Sequence, residues 1–168
     1  MFGMDDFIKF LQAFFIVFPV VTLIHLAGHI TFASIFGGKD LKVKIGSGKR
    51  LFSIGFVEVR WFYFWFGDCE YGSLKVKNRG ALSLVFLGGA LFNLLSIFFI
   101  NLLIAAGWAD KSMLTYQFVY FSFYYMFFAM LPMDFQDGYP SDGKAILRLW
   151  KRQRESNCSS SDCVWKAN

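Results

Sequence analysis

The stretch FIKFLQAFFIVFPVVTLIHLAGHITFASIF, residues 7–36, decides the fold of this protein. Lys9 is the only Lys, Arg, Asp or Glu in it, and a helix needs roughly 20 predominantly apolar residues to cross a bilayer. The stretch is also too long to be the apolar core of a signal peptide, so we expect a retained membrane span. It contains both histidines of the protein, His25 and His29.

Two further stretches, residues 80–107 and 113–133, are apolar over a similar length. Hydrophobic residues make up 56% of the 168 and aromatic residues 21%, and the mean hydropathy is +0.45. These values are far from those of a soluble domain. We therefore predict an integral membrane protein that is mainly α-helical, with three transmembrane helices and a membrane-embedded core over residues 1–151.

The segment between the first two spans has the pattern of β structure. Within residues 41–60, the first five alternate apolar with basic residues, and residues 51–60 carry β-branched and aromatic side chains. Between these two parts lies a turn-prone Gly-Ser-Gly at 46–48. The six aromatic residues at 61–66 suit the headgroup layer of a membrane. We expect a small membrane-associated β-sheet here. By contrast, residues 152–168 are polar and Ser-rich without periodicity, and we predict a disordered tail.

Basic residues are concentrated on one side of the predicted membrane topology. Residues 37–79 and the C-terminal tail hold most of them, whereas the other two ends hold only Lys9 and Lys111. The positive-inside rule then places 37–79 and the tail in the cytoplasm and the N-terminus outside, in the plasma membrane of a bacterium. The net charge of +5 is explained by this topology and by anionic lipid, so we expect no nucleic-acid partner.

The two histidines are four residues apart, which places both imidazoles on one face of a helix. Ionisable groups inside a membrane span are costly unless they find a partner, and they are read as functional by default. Two neutral imidazoles bonded to neighbouring helices are the structural alternative. Binding of one haem by both is disfavoured, because imidazoles on one side of a helix cannot be its two opposite axial ligands.

A turn-rich segment after the third span supplies aspartates. Pro132 is followed by two Asp-Gly pairs, at Asp137 and Asp142. His29 lies about 10 Å along the helix from the cytoplasmic end of the first span, so an aspartate can reach the histidines. Two histidines, one carboxylate and a fourth position open to water form the ligand set of a catalytic zinc site.

Three motifs resemble those of the site-2 protease family, the membrane-embedded zinc metalloproteases. They are His25-x-x-x-His29, Gly89-Ala-Leu-Phe-Asn93, and Pro132 followed by the two Asp-Gly pairs. The resemblance covers roughly residues 7–150 and implies a three-helix core with one Zn²⁺ per chain that hydrolyses peptide bonds in or beside the bilayer. It also implies that the sheet pairs with an unwound membrane protein or peptide substrate.

The resemblance assigns roles to particular residues. His25 and His29 match the family's metal ligands, and Asp142 is the expected third ligand because the helix-forming sequence after it resembles the family's pattern. Asp137 is the alternative third ligand, since the spacing after the proline favours it. Asn93 matches a substrate-binding position, although an asparagine in a membrane helix also serves to bond a neighbouring backbone.

Two positions depart from the family pattern. Leu26 occupies the place of the general-base glutamate, and Ala129 that of an asparagine that helps to hold substrate. Leucine cannot accept a proton, and general-base assistance typically contributes 10²- to 10⁴-fold. We therefore predict a zinc metallopeptidase with little or no activity, or alternatively a non-catalytic pseudoprotease that binds a membrane peptide or protein partner.

Overall fold

The computed structural model describes residues 3–55, 57–70, 72, 75, 78–135, 140–155 and 166–167. The elements in chain order are α1 (Met4–Gln12), a π-helical turn (Ala13–Val17), α2 (Phe18–Ile35), β1 (Lys42–Ile54), β2 (Val57–Glu70), α3 (Arg79–Ala105), α4 (Met113–Met130), α5 (Asp142–Glu155) and β3 (Lys166–Ala167). The mainly helical fold with a small sheet between the first two long helices is as predicted.

Two helices of the described chain are long and apolar enough to cross a membrane. One is the continuous rod Met4–Ile35, which joins α1, the π-helical turn and α2, and the other is α3. The third predicted stretch, 113–133, forms α4, which ends at Met130. The helix stops there because Pro132 disfavours helical backbone at the residue before it, and Leu131 is extended, with ψ 126°.

The first rod changes geometry at Pro19. Proline has no N–H, so it cannot bond the carbonyl four residues earlier, and the turn before it is π-helical. The carbonyl of Phe15 is the group affected, and the hydroxyl of Tyr63 on β2 lies 3.5 Å from it. The rod ends at a glycine cap, with Gly37 at φ 71° and the N–H of Gly38 bonded to the carbonyl of Ala33 at 2.8 Å.

Helices α2 and α3 cross at glycines. A Cβ on Gly28 would lie 2.2 Å from the carbonyl oxygen of Gly88, and a Cβ on Gly88 would lie 2.7 Å from that of Gly28. Both distances are too short for any side chain, so the two backbones touch. Small residues allow this close approach in membrane helices, and it brings the histidine face of α2 onto α3.

Strands β1 and β2 form a bent antiparallel hairpin against α2. The prediction that Gly-Ser-Gly 46–48 is the turn is wrong: β1 continues to Ile54, and the chain turns at Gly55. Gly46 and Gly48 have positive φ and bend the strand where the register shifts. The sheet order is β1-β2-β3. Residues 43–45 of β1 pair with two parts of the bent β2, so within the described chain only the end of β1 at residues 52–54 lies at a sheet edge.

The aromatic residues of 61–66 belong to β2 rather than to a separate interfacial segment. Phe64 contacts Phe14 and Phe15 of the first rod, with ring centroids 5.2 and 4.9 Å apart. The hairpin therefore extends along the first helix.

The predicted boundary at residue 151 falls inside α5, which continues to Glu155. Residues 166–167 pair with the end of β2. Most of the tail predicted to be disordered, residues 156–165 and 168, lies outside the described residues.

Candidate metal centre

His25 and His29 lie on the face of α2 that packs against α3. The side chains of both are 0% exposed, as is that of Asn93 on α3. The carboxylate of Asp142, the first residue of α5, reaches the same place and is 2% exposed. Helices that are distant in sequence thus bring three ionisable side chains together in the interior.

The ligand-type atoms of these residues form a small triangle. The Nε2 atoms of the two imidazoles are 3.1 Å apart. Asp142 Oδ2 lies 3.1 Å from His25 Nε2 and 3.4 Å from His29 Nε2. Among the residues described, this is the group of His, Cys, Asp and Glu side chains able to hold one metal ion.

The start of α5 fixes the position of Asp142. Ser141 precedes the helix, and its Oγ accepts the N–H of Lys144 at 3.2 Å and donates to the carbonyl of Leu131 at 2.6 Å. A Cβ on Gly143 would lie 1.9 Å from the carbonyl oxygen of Met130, so glycine lets α5 meet the end of α4 backbone to backbone. The serine cap and the glycine contact hold the carboxylate over the imidazoles.

Each imidazole has a second partner that orients its ring. His29 Nδ1 donates to the carbonyl of Val85 at 2.7 Å, which leaves Nε2 as a lone pair aimed at the triangle. His25 Nδ1 lies 3.3 Å from the amide of Asn93, whose Oδ1 has no hydrogen-bond partner among the described residues. If the amide turns to present Oδ1, His25 donates from Nδ1 and its Nε2 is also a lone pair.

The residues present fit a bound cation. Three electron-rich atoms face one another inside a buried space, and Asp142 Oδ1 has no partner among the described residues. Such a group needs a proton or a metal ion between its members, since unpaired lone pairs repel and buried polar atoms without partners are costly. Two imidazoles and a carboxylate suit Zn²⁺ and other borderline divalent ions.

The environment favours the ionised carboxylate. Burial alone raises the pKa of Asp142. In the metal-free site, protonated His29 and His25 would outweigh this effect through their charge and hydrogen bonds and hold the pKa below its ordinary value, and a bound cation would take the place of that proton.

The sequence motifs name Gly89 without indicating that it lies beside the triangle, and they do not name the other neighbour, Tyr125. A Cβ on Gly89 would lie 2.5 Å from His25 Nε2 and 2.6 Å from His29 Nε2, so this glycine makes the room that the imidazoles occupy. The ring of Tyr125 on α4 packs against that of His25, with centroids 4.7 Å apart. The Gly88–Gly89 pair was a visible signal, whereas nothing in the sequence distinguishes Tyr125 from the other aromatic residues of α4.

Leu26 points to a different surface from its histidine neighbours. It is 1% exposed and forms an apolar cluster with Val43, Ile45 and Cys69 of the sheet. A Cβ on Gly67 would lie 2.7 Å from Leu26 Cδ1, so β2 lies directly over this side chain. Leu26 therefore packs α2 against the sheet.

Other carboxylates near the sheet are already paired. Glu58 bonds Arg60 at 3.0 Å, and Glu70 bonds Lys44 at 2.8 Å.

The remaining predicted site residues are placed as follows. Asn93 touches His25 rather than a surface open to substrate. Ala129 is buried near the end of α4, 8% exposed. Asp137, the alternative third ligand, lies outside the described residues. The structure thus brings His25, His29 and Asp142 together, and their role as metal ligands stays a prediction.

Comparison with known proteins gives one informative match. The chain is 49% identical over 149 residues, 89% of this chain and 93% of the other, to the uncharacterized membrane protein YwmF of Bacillus subtilis (strain 168). No protein-family model and no solved structure matches the chain. The likeness to the Bacillus protein runs over nearly the whole of both chains.

Proposed function

This chain belongs to the family of the Bacillus subtilis membrane protein YwmF, and from that premise we propose that it is a membrane-embedded Zn²⁺-binding protein of the site-2 protease type with little or no peptidase activity. The metal ligands are His25, His29 and Asp142, with one Zn²⁺ per chain. The observation that carries this proposal is the buried triangle of two imidazole nitrogens and one carboxylate oxygen.

The dimensions of the triangle support a tetrahedral ion. Zinc bonds of roughly 2.0–2.1 Å at tetrahedral angles separate neighbouring ligand atoms by about 3.3 Å. The three separations here are 3.1, 3.1 and 3.4 Å. When bound, Zn²⁺ acts as a Lewis acid and lowers the pKa of coordinated water. The protein itself supplies orientation, through the Val85 carbonyl on His29 and Asn93 on His25.

The low activity follows from the surroundings of Leu26. A general base must lie within hydrogen-bond reach of the proton that it accepts. Leu26 has no such group, and the apolar cluster with Val43, Ile45 and Cys69 surrounds it.

The topology completes the proposal. We assign α4 as a third span, after the rod Met4–Ile35 and α3, because 15 of its 18 residues are apolar or aromatic and it follows α3 after a short turn. The distribution of basic residues supports a cytoplasmic location for residues 37–79 and α5, and an N-terminus outside the plasma membrane of a bacterium. The metal centre then lies just beneath the inner leaflet.

A second candidate function is a pseudoprotease that binds a membrane peptide without cutting it. The exposed edge of β1 favours it: residues 52–54 pair with β2 on one side only within the described chain. An extended peptide can add to such an edge through backbone hydrogen bonds. Leu51, Phe52 and Ile54 are 49, 49 and 71% exposed there.

Metal analysis of the purified full chain tests the metal centre. We expect about one zinc per chain, lost in the His25→Ala, His29→Ala double variant, because two of three ligands are gone. The matched control is Thr31→Ala on the same helix, whose hydroxyl bonds only Ala27 of its own turn. Equal zinc in the double variant and the wild type would overturn the proposal.

The Leu26→Glu variant separates the two candidate functions. If zinc is bound and the variant cleaves a membrane substrate that the wild type leaves intact, the chain is a peptidase that has lost its base. If zinc is bound and no substrate is cut, while a peptide crosslinks to residues 41–60, the chain is a binding protein.

A further inference from the structure

Helix α5 carries the third ligand of the proposed metal centre and also has a face turned away from the bundle. Its inner residues Ala145 and Leu149 are 3 and 8% exposed, and Ala145 packs in a cluster with Ala33 of α2 and Phe86 of α3. The indole Nε1 of Trp150 donates to Ser83 Oγ, in the second turn of α3, at 3.1 Å. Helix α5 therefore lies across the ends of α2 and α3.

The outer face of α5 interleaves apolar and basic side chains. It consists of four residues: Leu147, Arg148, Trp150 and Lys151. Leu147 and Trp150 are 51 and 56% exposed, the side chain of Arg148 is 43% exposed, and Lys151 is exposed. Exposed Leu and Trp beside Arg and Lys on one helix face are typical of helices that lie in the headgroup layer of a membrane.

The charges around this face leave an excess of positive charge. Asp134 bonds both Lys144 and Arg148 and so compensates one of these two cations. Lys151 is exposed, and it forms no ion pair with any residue whose side chain the structure describes, a set that in α5 ends at Lys151 itself. Lys75 lies against Gly37 at the end of α2, at the same end of the bundle. The chemistry that this surface recognises is therefore a negatively charged, partly apolar layer.

We propose that the outer face of α5 binds the anionic lipid surface of the bilayer, and that this contact holds Asp142 at the metal centre so that membrane charge sets metal affinity. The proposal rests on the metal centre of the proposed function. The lipid contacts the outer face of α5, and the metal ion contacts the first residue of the same helix. That residue is Asp142, whose Oδ2 lies 3.1 and 3.4 Å from the Nε2 atoms of His25 and His29. Because both ligands favour this position of α5, binding of the lipid increases the affinity for the metal, and binding of the metal increases the affinity for the lipid.

The test compares the full chain in two kinds of lipid nanodisc, one of phosphatidylcholine alone and one with about 30 mol % phosphatidylglycerol. Zinc affinity is measured by competition with a chromophoric chelator. We expect binding about fivefold tighter in the anionic nanodiscs, since one uncompensated Lys or Arg near an anionic surface contributes about that factor. The gain should shrink at an ionic strength of about 0.5 M.

Two variants separate this coupling from simple attraction of Zn²⁺ to the anionic surface. Lys151→Gln should lose most of the gain, whereas Lys111→Gln, in the turn between α3 and α4, should keep it. Surface attraction of the ion is common to all three proteins and cancels in the comparison. A gain that Lys151→Gln retains in full would overturn the proposal, as would equal zinc affinity of the wild type in the two nanodiscs.

Hydrogen exchange of the metal-free chain gives a second, independent measurement. The amides of α5 should exchange more slowly in the anionic nanodiscs than in phosphatidylcholine, and Lys151→Gln should remove the difference. Unchanged exchange would contradict the lipid contact. Absence of zinc in every nanodisc, with slowed exchange present, would instead overturn the proposed function and leave only the lipid contact.

Discussion

The two faces of α2 at residues 25–29 are equally buried but chemically opposite. His25 and His29 face α3 and α5, where a carboxylate, an amide and a backbone carbonyl meet them. Leu26, the residue after His25, faces the sheet and contacts apolar side chains there. In the family that the chain resembles, this short helix segment both holds the metal and supplies the base. Here the two histidines face a carboxylate, and this side of α2 is the proposed metal face, whereas Leu26 packs against the sheet and its side is the packing face.

The largest expected effect comes from closing the metal face. Gly89→Ala should abolish zinc binding, with a loss of affinity above about 100-fold, because its Cβ would lie 2.5 Å from His25 Nε2 and 2.6 Å from His29 Nε2. Zinc content of the purified variant is the measurement. Gly80→Ala on the same helix is the control, since its Cβ meets only Asn78 Oδ1 at 4.0 Å. Full zinc content in Gly89→Ala would show that the imidazoles do not converge there.

The packing face is broken by Leu26→Ala. We expect a loss of about 2–5 kcal/mol in the free energy of unfolding, the usual cost of a cavity at a fully buried leucine. Zinc stoichiometry should stay near one per chain, because no ligand is altered. Denaturation in detergent, followed by tryptophan fluorescence, measures the loss, and Leu26→Met should cost less than about 1.5 kcal/mol. Lost zinc without lost stability would mean that Leu26 belongs to the metal face.

A smaller loss of zinc affinity is expected at Asn93, which contacts a proposed ligand but is not itself one. Asn93→Ala removes the partner of His25 Nδ1 and should weaken zinc binding by about 10- to 100-fold. Competition with a chelator measures this change. Asn101→Ala is the matched control, since the side chain of Asn101 bonds only Ile97 of its own helix. An affinity equal to that of the wild type would remove Asn93 from the metal centre.

Much of this arrangement is readable from the sequence, for identifiable reasons. The two helices long and apolar enough to cross a membrane follow from composition, and the shared face of His25 and His29 follows from helix period. The stop at Gly37 follows from glycine's tolerance of positive φ. Each of these properties is local, because it is determined by residues within one or two turns of helix.

What the sequence leaves open depends on contacts between distant segments. The choice between Asp137 and Asp142 depends on how α5 meets α4, through the Gly143–Met130 contact. Val85 acts through its backbone carbonyl, which any residue would provide. The turn at Gly55 rather than at 46–48 reflects how β1 bends over α2, and the packing of Leu26 under Gly67 depends on that bend.

The smallest expected effect lies outside both faces, in the ion pairs that brace α5. The hydrogen bond from Lys144 holds the pKa of Asp134 below its ordinary value. A carboxyl group whose pKa is lowered by folding stabilises the fold at every pH above its ordinary pKa. That stabilisation is lost as the pH falls through the lowered pKa. Asp134→Asn should thus reduce Tm slightly at pH 7, and the difference from the wild type should shrink at an acidic pH well below the ordinary pKa of an aspartate.

Thermal unfolding at both pH values checks this prediction. Asp110→Asn, in the turn between α3 and α4, is the control. A difference that grows as the pH falls would contradict it.

X-ray absorption at the zinc edge tests the central claim most directly, on the full chain loaded with one equivalent of Zn²⁺ in detergent or nanodiscs. The arrangement of His25, His29 and Asp142 predicts two imidazole nitrogens and at least one carboxylate oxygen at about 2.0–2.2 Å. A spectrum dominated by sulfur at about 2.3 Å, as the tail thiols Cys158 and Cys163 would give, or one with no imidazole scattering, would contradict it.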